Sequence, residues 1–167
     1  MNKRNIILIG MPGAGKSSVG VILAKVLGYE FIDTDLVIQH REKRLLREII
    51  ADEGNEGFLA IENEVNATLE ADKSVIAPGG SAIYGKEAME HFKEIGTIVY
   101  LKLSYEDLAK RLGNLKGRGV VLKEGQTLKD LYDEGSKLYE QYAEITVDES
   151  GRDIQGTILA LREQIGM

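Results

Sequence analysis

Gly10-Met11-Pro12-Gly13-Ala14-Gly15-Lys16-Ser17 is the stretch that decides how this chain folds. It fits G-x-x-x-x-G-K-[ST], the pattern of a phosphate-binding loop. Its flanks agree with that reading. Upstream, Asn5-Ile6-Ile7-Leu8-Ile9 is almost wholly apolar and rich in β-branched residues, as a buried parallel strand is. Downstream, Val19, Ile22, Leu23, Val26 and Leu27 recur at helical spacing, and Gly28 offers a stop. A plain glycine-rich turn with a chance lysine is the competing reading; it leaves the ordered strand, Lys-Ser pair and helix unexplained.

The residue types follow from the chemistry of a polyphosphate. Its oxygens need several donors converging from a tight turn, and glycines let backbone N–H groups curl around them. The helix that follows presents its free N–H groups and the positive end of its dipole. Gly13, Ala14, Gly15 and Ser18 belong to this cradle. Lys16 is expected to reach the β and γ phosphates of ATP, and the Ser17 hydroxyl to bind Mg²⁺.

With 167 residues and 43% hydrophobic content, the chain is expected to form one domain, residues 1–167, around a substantial core. A formal net charge of −6 argues against a nonspecific nucleic-acid binder. The absence of cysteine excludes disulfides, thiolate catalysis and zinc–thiolate sites. His40 and His91 are too few for a histidine cluster and read as structural or surface residues. No apolar run approaches a membrane span, and the first hydrophobic run is too short for a secretory signal. A soluble cytoplasmic protein is expected, with no membrane or nucleic-acid partner.

Strands and helices alternate along the chain, the signature of a parallel α/β sheet. Strands are expected at about 4–9, 29–33, 74–77, 97–101 and 144–147. Helices are expected at 16–27, across 36–71 with an interruption near Gly54 and Gly57, and at 85–92. Ser104 with Asp107, and Thr127 with Asp130, have the spacing of capping boxes opening two further helices. Ile154, Ile158, Leu161 and Ile165 mark the last one. Tyr132, Tyr139 and Tyr142 read as helix packing rather than as stacking platforms for a base.

Asp33-Thr34-Asp35 falls at the C-terminal end of the second strand, the edge beyond which open α/β sheets bind ligands. Asp33 could hold Mg²⁺ through water, and Asp35 could accept the proton of a substrate hydroxyl. Helix capping by Asp35, ahead of Leu36 and Val37, is the bland alternative, and the two roles are compatible. Phosphoryl transfer also needs positive charge at the moving group and exclusion of water. Arg118, among the three glycines of residues 113–119, is the candidate lid cation, in a lid of about 112–124. Arg111 could pack against an adenine base; Lys116 and Lys123 are weaker candidates. Pro78-Gly79-Gly80-Ser81 breaks the third strand, and its glycines allow close approach of backbone to a ligand.

Taken together, Gly10 to Gly20 and Phe31-Ile32-Asp33-Thr34-Asp35 give the sequence a resemblance to the shikimate kinase family that extends over essentially the whole chain. The resemblance implies a nucleoside-monophosphate-kinase-like α/β/α sandwich with a five-stranded parallel sheet of order 2-3-1-4-5. It implies transfer of the γ-phosphoryl of ATP, with Mg²⁺, to the 3-hydroxyl of shikimate. By the same resemblance, Asp33 lies near magnesium and Asp35 contacts the acceptor hydroxyls. Arg118 meets the transferring phosphate, Arg111 packs on adenine, and Gly79, Gly80 and Ser81 stand for a triple-glycine substrate loop. The acceptor region spans about 34–62, and a monomer is favoured.

The departures from the family pattern cluster on the acceptor. The arginine of Phe-Arg-x-x-Glu is replaced in Phe58-Leu59-Ala60-Ile61-Glu62, and a second carboxylate-clamping arginine is replaced by Gly135. The lid Arg-Pro is Arg118-Gly119. Neither leucine nor glycine offers the planar donor pair that grips a carboxylate, and losing one such contact costs about 2–3 kcal/mol of binding. Lys137 is the nearest replacement cation, and Glu62, left without its arginine, could meet a substrate amine or face solvent. Three functions follow: a shikimate kinase with altered contacts; a kinase of the same build acting on another small acceptor such as a polyol, sugar acid or nucleotide; and a nucleotide-binding regulatory protein. The equipment at Lys16, Ser17, Asp33, Asp35 and Arg118 counts against the third.

Overall fold

The structure is a computed structural model that describes residues 4–113 and 124–167. Five strands, β1 (Asn5–Ile9), β2 (Glu30–Asp33), β3 (Ser74–Ala77), β4 (Gly96–Lys102) and β5 (Ile145–Asp148), form one parallel sheet of order β2-β3-β1-β4-β5. This is the order implied by the family resemblance. The central strand β1 is buried along its whole length, as its unbroken apolar sequence requires.

Side-chain alternation along β1 divides the core between the two faces of the sheet. Ile7 and Ile9 join Ile76, Ile98 and Tyr100 on one face. That face is covered by α4 (Lys86–Ile95), α5 (Tyr105–Gly113) and α6 (Leu128–Tyr142), through Met89, Phe92, Leu108, Leu131 and Tyr139. Ile6 and Leu8 join Val75, Val99 and Leu101 on the other, under α1 (Lys16–Leu27) and α7 (Ile154–Ile165). The result is a three-layer α/β/α sandwich. Among the described residues no helix is long and apolar enough to cross a membrane.

Both expected helix starts are capped, the first by one bond and the second by a reciprocal box. Asp107 N–H donates to Ser104 Oγ at 3.2 Å, and Thr127 and Asp130 cap each other reciprocally at the start of α6. The helical stretch expected across 36–71 is instead two elements, α2 (Thr34–Glu42) and α3 (Leu46–Ala67). Lys43 ends α2 in the left-handed region at φ 55°. The expected interruption inside α3 occurs at Gly54, which leaves helical geometry, while Gly57 stays helical. Ile38 of α2 and Ile49, Phe58 and Val65 of α3 close a separate small core. The break after β3 winds into a 3₁₀ turn, Gly80–Tyr84.

Asn5, 2% exposed, ties the strands together at the edge of the sheet remote from the phosphate loop. Its Nδ2 donates to the carbonyls of Ala71 and Ile95, each at 2.9 Å, and its Oδ1 accepts from the Ser74 N–H at 3.0 Å. An alanine here removes these bonds from two part-buried carbonyls and one buried N–H. Asn5→Ala is therefore expected to lower the unfolding free energy by about 3 kcal/mol, measured by urea denaturation, with the slope of the transition unchanged.

Candidate active site

The C-terminal ends of β1, β2 and β3 open into a cleft of about 380 Å³. Pro12, Gly13, Gly15, Lys16, Ser17 and Ser18 form one wall, Asp33 and Asp35 another, and Glu62, Gly79, Gly80 and Ser81 the acceptor end with Leu46 and Phe58. These residues are contributed by four stretches of chain that are far apart in sequence.

The phosphate loop is built to hold an anion. Gly15 caps α1 with φ 80°, a conformation that only glycine adopts without strain, and offers no side chain to the first turn. No acidic residue lies in that turn either. The leading N–H groups of α1 are therefore free of side-chain acceptors and suit a phosphate. Lys16 is 9% exposed, and its ammonium donates to the carbonyls of Gly10 at 2.6 Å and Met11 at 3.0 Å. Burial lowers its pKa to about 8, against the pull of Asp35, Glu149, Glu62 and Asp33. Ala14, expected in the cradle, is fully buried beneath it.

Helix capping at β2 falls to Asp33, not to Asp35 as the sequence reading allowed. Asp33 Oδ1 accepts the N–H of Asp35 at 2.9 Å and opens α2. Asp35 stands in the first turn of α2, its side chain released from capping duty. Burial, reinforced by the charge of Asp33, raises its pKa to about 6, and Lys16 opposes the shift.

Glu62 is 1% exposed. Its Oε1 accepts from Ser81 Oγ at 2.7 Å, while Oε2 is buried with no partner. Burial raises its pKa to about 7, with a further push from Asp35 outweighing the opposite pull of Lys16. Gly79 separates the two carboxylates: a methyl group there would lie 3.0 Å from both Asp35 Oδ1 and Glu62 Oε2. Gly80 is glycine for a different reason than approach to a ligand. A methyl group on it would come within 2.6 Å of Pro12 Cδ, so the substrate-side turn packs directly on the phosphate loop. Tyr139, 2% exposed, donates its hydroxyl to the Gly80 carbonyl at 2.6 Å and stacks on Tyr100, which holds that turn in place.

Two residues proposed for the acceptor site lie elsewhere. Leu59 packs against the small core of α2 and α3 and does not line the cleft, because an apolar side chain gains more by joining Ile38, Ile49, Phe58 and Val65. Lys137 is exposed on α6; it follows the buried Gly135 by two residues, which turns it away from the face that packs inward. Gly135 itself abuts Met11 and Tyr139. Arg111 Nη1 donates to the Gly13 carbonyl at 3.0 Å, against the phosphate loop. Arg118, with Lys116, Lys123 and most of the lid at 112–124, lies outside the described residues.

One residue at this end was missed from the sequence. Glu149, 6% exposed at the end of β5, faces Gly15 beside Arg111, and its Oε2 has no partner. Burial raises its pKa to about 7, with Arg111 and Lys16 opposing. The available signal was an acidic pair, Asp148-Glu149, at the ligand edge of the fifth strand.

The shikimate kinase family model matches residues 12–165. The chain belongs to the shikimate kinase family. It is 35% identical over 168 residues to a shikimate kinase from Vibrio cholerae, covering 97% of each chain. It superposes with a TM-score of 0.80 on a shikimate kinase from Acinetobacter baumannii in complex with shikimate, at 33% identity, covering 98% of this chain and 91% of the other. The shikimate kinase from Aquifex aeolicus gives the same TM-score at 28% identity, covering 97% and 96%. Shikimate kinases are ATP-dependent phosphotransferases, so membership makes this chain a kinase that uses nucleotide and metal.

The donor set fits Mg²⁺ in that role. Among the described residues no three His, Cys, Asp or Glu side chains gather to hold an ion by themselves. Ser17 and Asp33 nevertheless line the same cleft. Magnesium is commonly bound in this way, by one or two protein oxygens together with water and substrate phosphates.

The raised pKa of Glu62 has a direct consequence for stability. The folded protein prefers Glu62 protonated, so this preference stabilises it below the ordinary pKa of 4.5 and is lost as pH rises to about 7. Relative to the parent, Glu62→Gln should gain about 3 kcal/mol between pH 4.5 and pH 8, read as the pH dependence of the difference in denaturation free energy. A difference that stays flat with pH would show that Glu62 is charged in the folded protein throughout.

Proposed function

We propose that the protein transfers the γ-phosphoryl group of ATP to a hydroxyl of a small acceptor, the nearest named activity being formation of shikimate 3-phosphate from shikimate. The convergence of Lys16, Ser17, Asp33 and Asp35 on one cleft, in a shikimate kinase family chain, carries this reading. A relative of 33% identity that was solved with shikimate supports the choice of acceptor.

Each residue has a task on this reading. Lys16 exchanges its two carbonyl acceptors for phosphate oxygens and balances their charge in a site with little water. Asp35 orients the acceptor hydroxyl and takes its proton. With a pKa of about 6 it is ionised at neutral pH yet more basic than an ordinary aspartate. Ser17 and Asp33 hold Mg²⁺, which when bound supplies further neutralisation of phosphate charge. Arg118 is assigned to the transferring phosphate and Arg111 to the base, within a single domain whose lid spans 112–124 and whose acceptor region spans 34–62. A cytoplasmic monomer is part of the same proposal.

A second reading, phosphorylation of an acceptor other than shikimate, is favoured by one observation. At the two positions where the family pattern places carboxylate-clamping arginines, Leu59 joins an apolar core and Gly135 packs on Met11. No guanidinium stands at either.

Lys16→Met is expected to lower kcat/KM by about a thousandfold or more, with the melting temperature and circular dichroism retained. Undiminished turnover would overturn the site. Asp35→Asn is expected to cut kcat by about 10²–10⁴-fold and leave KM for ATP within about twofold. A defect confined to the ATP KM would place Asp35 on the donor side instead.

A further inference from the structure

Leu59 and Glu62 lie about one turn apart on α3. Leu59 is turned into the apolar core, and Glu62 is the one presented at the acceptor end of the cleft. Glu62 is 1% exposed; its Oε1 accepts from Ser81 Oγ at 2.7 Å, and its Oε2 is buried with no partner. Oε2 and Asp35 Oδ1 converge on Gly79, where a methyl group would lie 3.0 Å from each. Two carboxyl groups facing one desolvated patch do not both ionise readily.

The groups around Glu62 decide which of the two keeps its proton. Asp35 faces it from α2 with a negative charge. Tyr139 faces it from α6, but its hydroxyl is committed to the Gly80 carbonyl. Ser81 donates from the 3₁₀ turn to Oε1 alone. Lys16, from α1, is the one cation on the lining among the described residues, and two loop carbonyls already hold its ammonium. Glu62 is the more deeply buried of the pair, so it stays protonated up to a pH of about 7 while Asp35 ionises first. With Oε1 accepting from Ser81, the proton belongs on Oε2, at the cleft.

A buried O–H needs lone pairs to meet it. A ligand hydroxyl brings a proton of its own and serves a charged or a neutral partner. A ligand carboxylate brings lone pairs only and has to find a donor. Guanidinium donors are absent at positions 59 and 135, and Lys137 is exposed outside the cleft. A carboxylic acid is a workable replacement: its O–H···O⁻ bond is short and charge-assisted, and the pair shares one proton and one charge.

We propose that Glu62 acts as a neutral acid, donating its Oε2 proton to the carboxylate of the acceptor in place of a guanidinium. Ser81 positions it by holding the other oxygen, and Asp35 is left for the acceptor hydroxyl. Ionisation of Glu62 removes the donor and sets a like charge against the ligand. The proposal rests on the kinase reading above and adds to it how the acceptor is held.

The test uses the full chain with Mg²⁺, ATP and shikimate, with methyl shikimate as the uncharged counterpart. Acceptor-dependent ADP release is measured from pH 6.5 to 8.5, and calorimetry follows binding of each compound to the ATP-free protein. The KM and Kd for shikimate are expected to rise about tenfold or more across this range, while the KM for ATP does not follow. The methyl ester should bind more weakly at pH 6.5 and respond to pH by less than about threefold. Glu62→Gln keeps an acceptor for Ser81 and a neutral donor at the place of Oε2, so its shikimate KM should stay within about threefold over the range. Glu62→Ala should have a raised KM, by about tenfold at pH 6.5, again without the pH dependence. A shikimate KM that is flat with pH, a rise that persists in Glu62→Gln, an equal rise with the ester, or no binding of shikimate would each overturn the proposal. Turnover of either compound in those cases leaves the kinase reading standing. Shikimate binding with the Glu62-dependent profile but no ADP release would support the acid–carboxylate contact and defeat the kinase reading.

Discussion

The burial of one ammonium group organises this protein's chemistry. Lys16 is enclosed where β1 ends, and desolvation alone would push it toward neutrality. Four carboxylates from three separate parts of the chain, Asp33 with Asp35, Glu62 and Glu149, act against that loss. The carboxylates are perturbed in turn: Asp35, Glu62 and Glu149 all rise well above the usual carboxylate range because they too are buried. Among the described residues, four acidic groups face Lys16, with Arg111 beside Glu149, so acid is in excess at this site. The site therefore favours compensating charge, from protons or from a metal with its phosphates, over an empty state.

Two loops have to fit each other before that cluster can form. Pro12 of the phosphate loop lies against Gly80 so closely that a single methyl group would collide with it. Tyr139, from a helix on the opposite side of the turn, fastens Gly80 through its carbonyl. The same 3₁₀ turn carries Ser81, which holds Glu62. Position is thus passed from the phosphate loop to the acceptor carboxylate through one van der Waals contact and two hydrogen bonds. Asn5 performs a comparable task at the far edge of the sheet, where it fixes the register of β1 against β3 and β4.

What was legible in the sequence was what is determined locally. The inner strands β1, β3 and β4 were visible as short apolar runs, because a strand covered on both faces leaves little room for polar residues, while the edge strands β2 and β5 mix apolar with exposed polar positions. Helix starts at Ser104 and Thr127 were visible because a cap and its N–H are three residues apart. The division of residues 34–67 into two helices was not, since Lys43 adopts a left-handed conformation that its side chain does not announce. Nor could the pair Asp33 and Asp35 be sorted into cap and site residue, because both are good caps and only the backbone turn decides between them. Leu59 and Glu62 lie three residues apart on one helix, yet one enters an apolar core and the other lines the cleft. Glu149 was hidden because its neighbour Gly15 is more than a hundred residues away.

These differences in construction explain why the two halves of the site can diverge independently. The phosphate half is a contiguous turn whose donors are backbone N–H groups and one lysine, so few substitutions are compatible with its shape. The acceptor half is assembled from side chains on α2, α3 and the turn after β3, each supported by its own packing. An arginine-to-leucine exchange at position 59 relative to the family pattern is absorbed by a hydrophobic core that gains contacts. Glycine at 135 leaves α6 continuous through the site, with Leu131 and Tyr139 still buried on either side. Neither change disturbs the sheet or the phosphate loop. What they leave at the acceptor end is a buried carboxyl group, Glu62, with one oxygen held by Ser81 and the other open, and a buried polar atom of that kind is costly until a hydrogen-bond partner meets it.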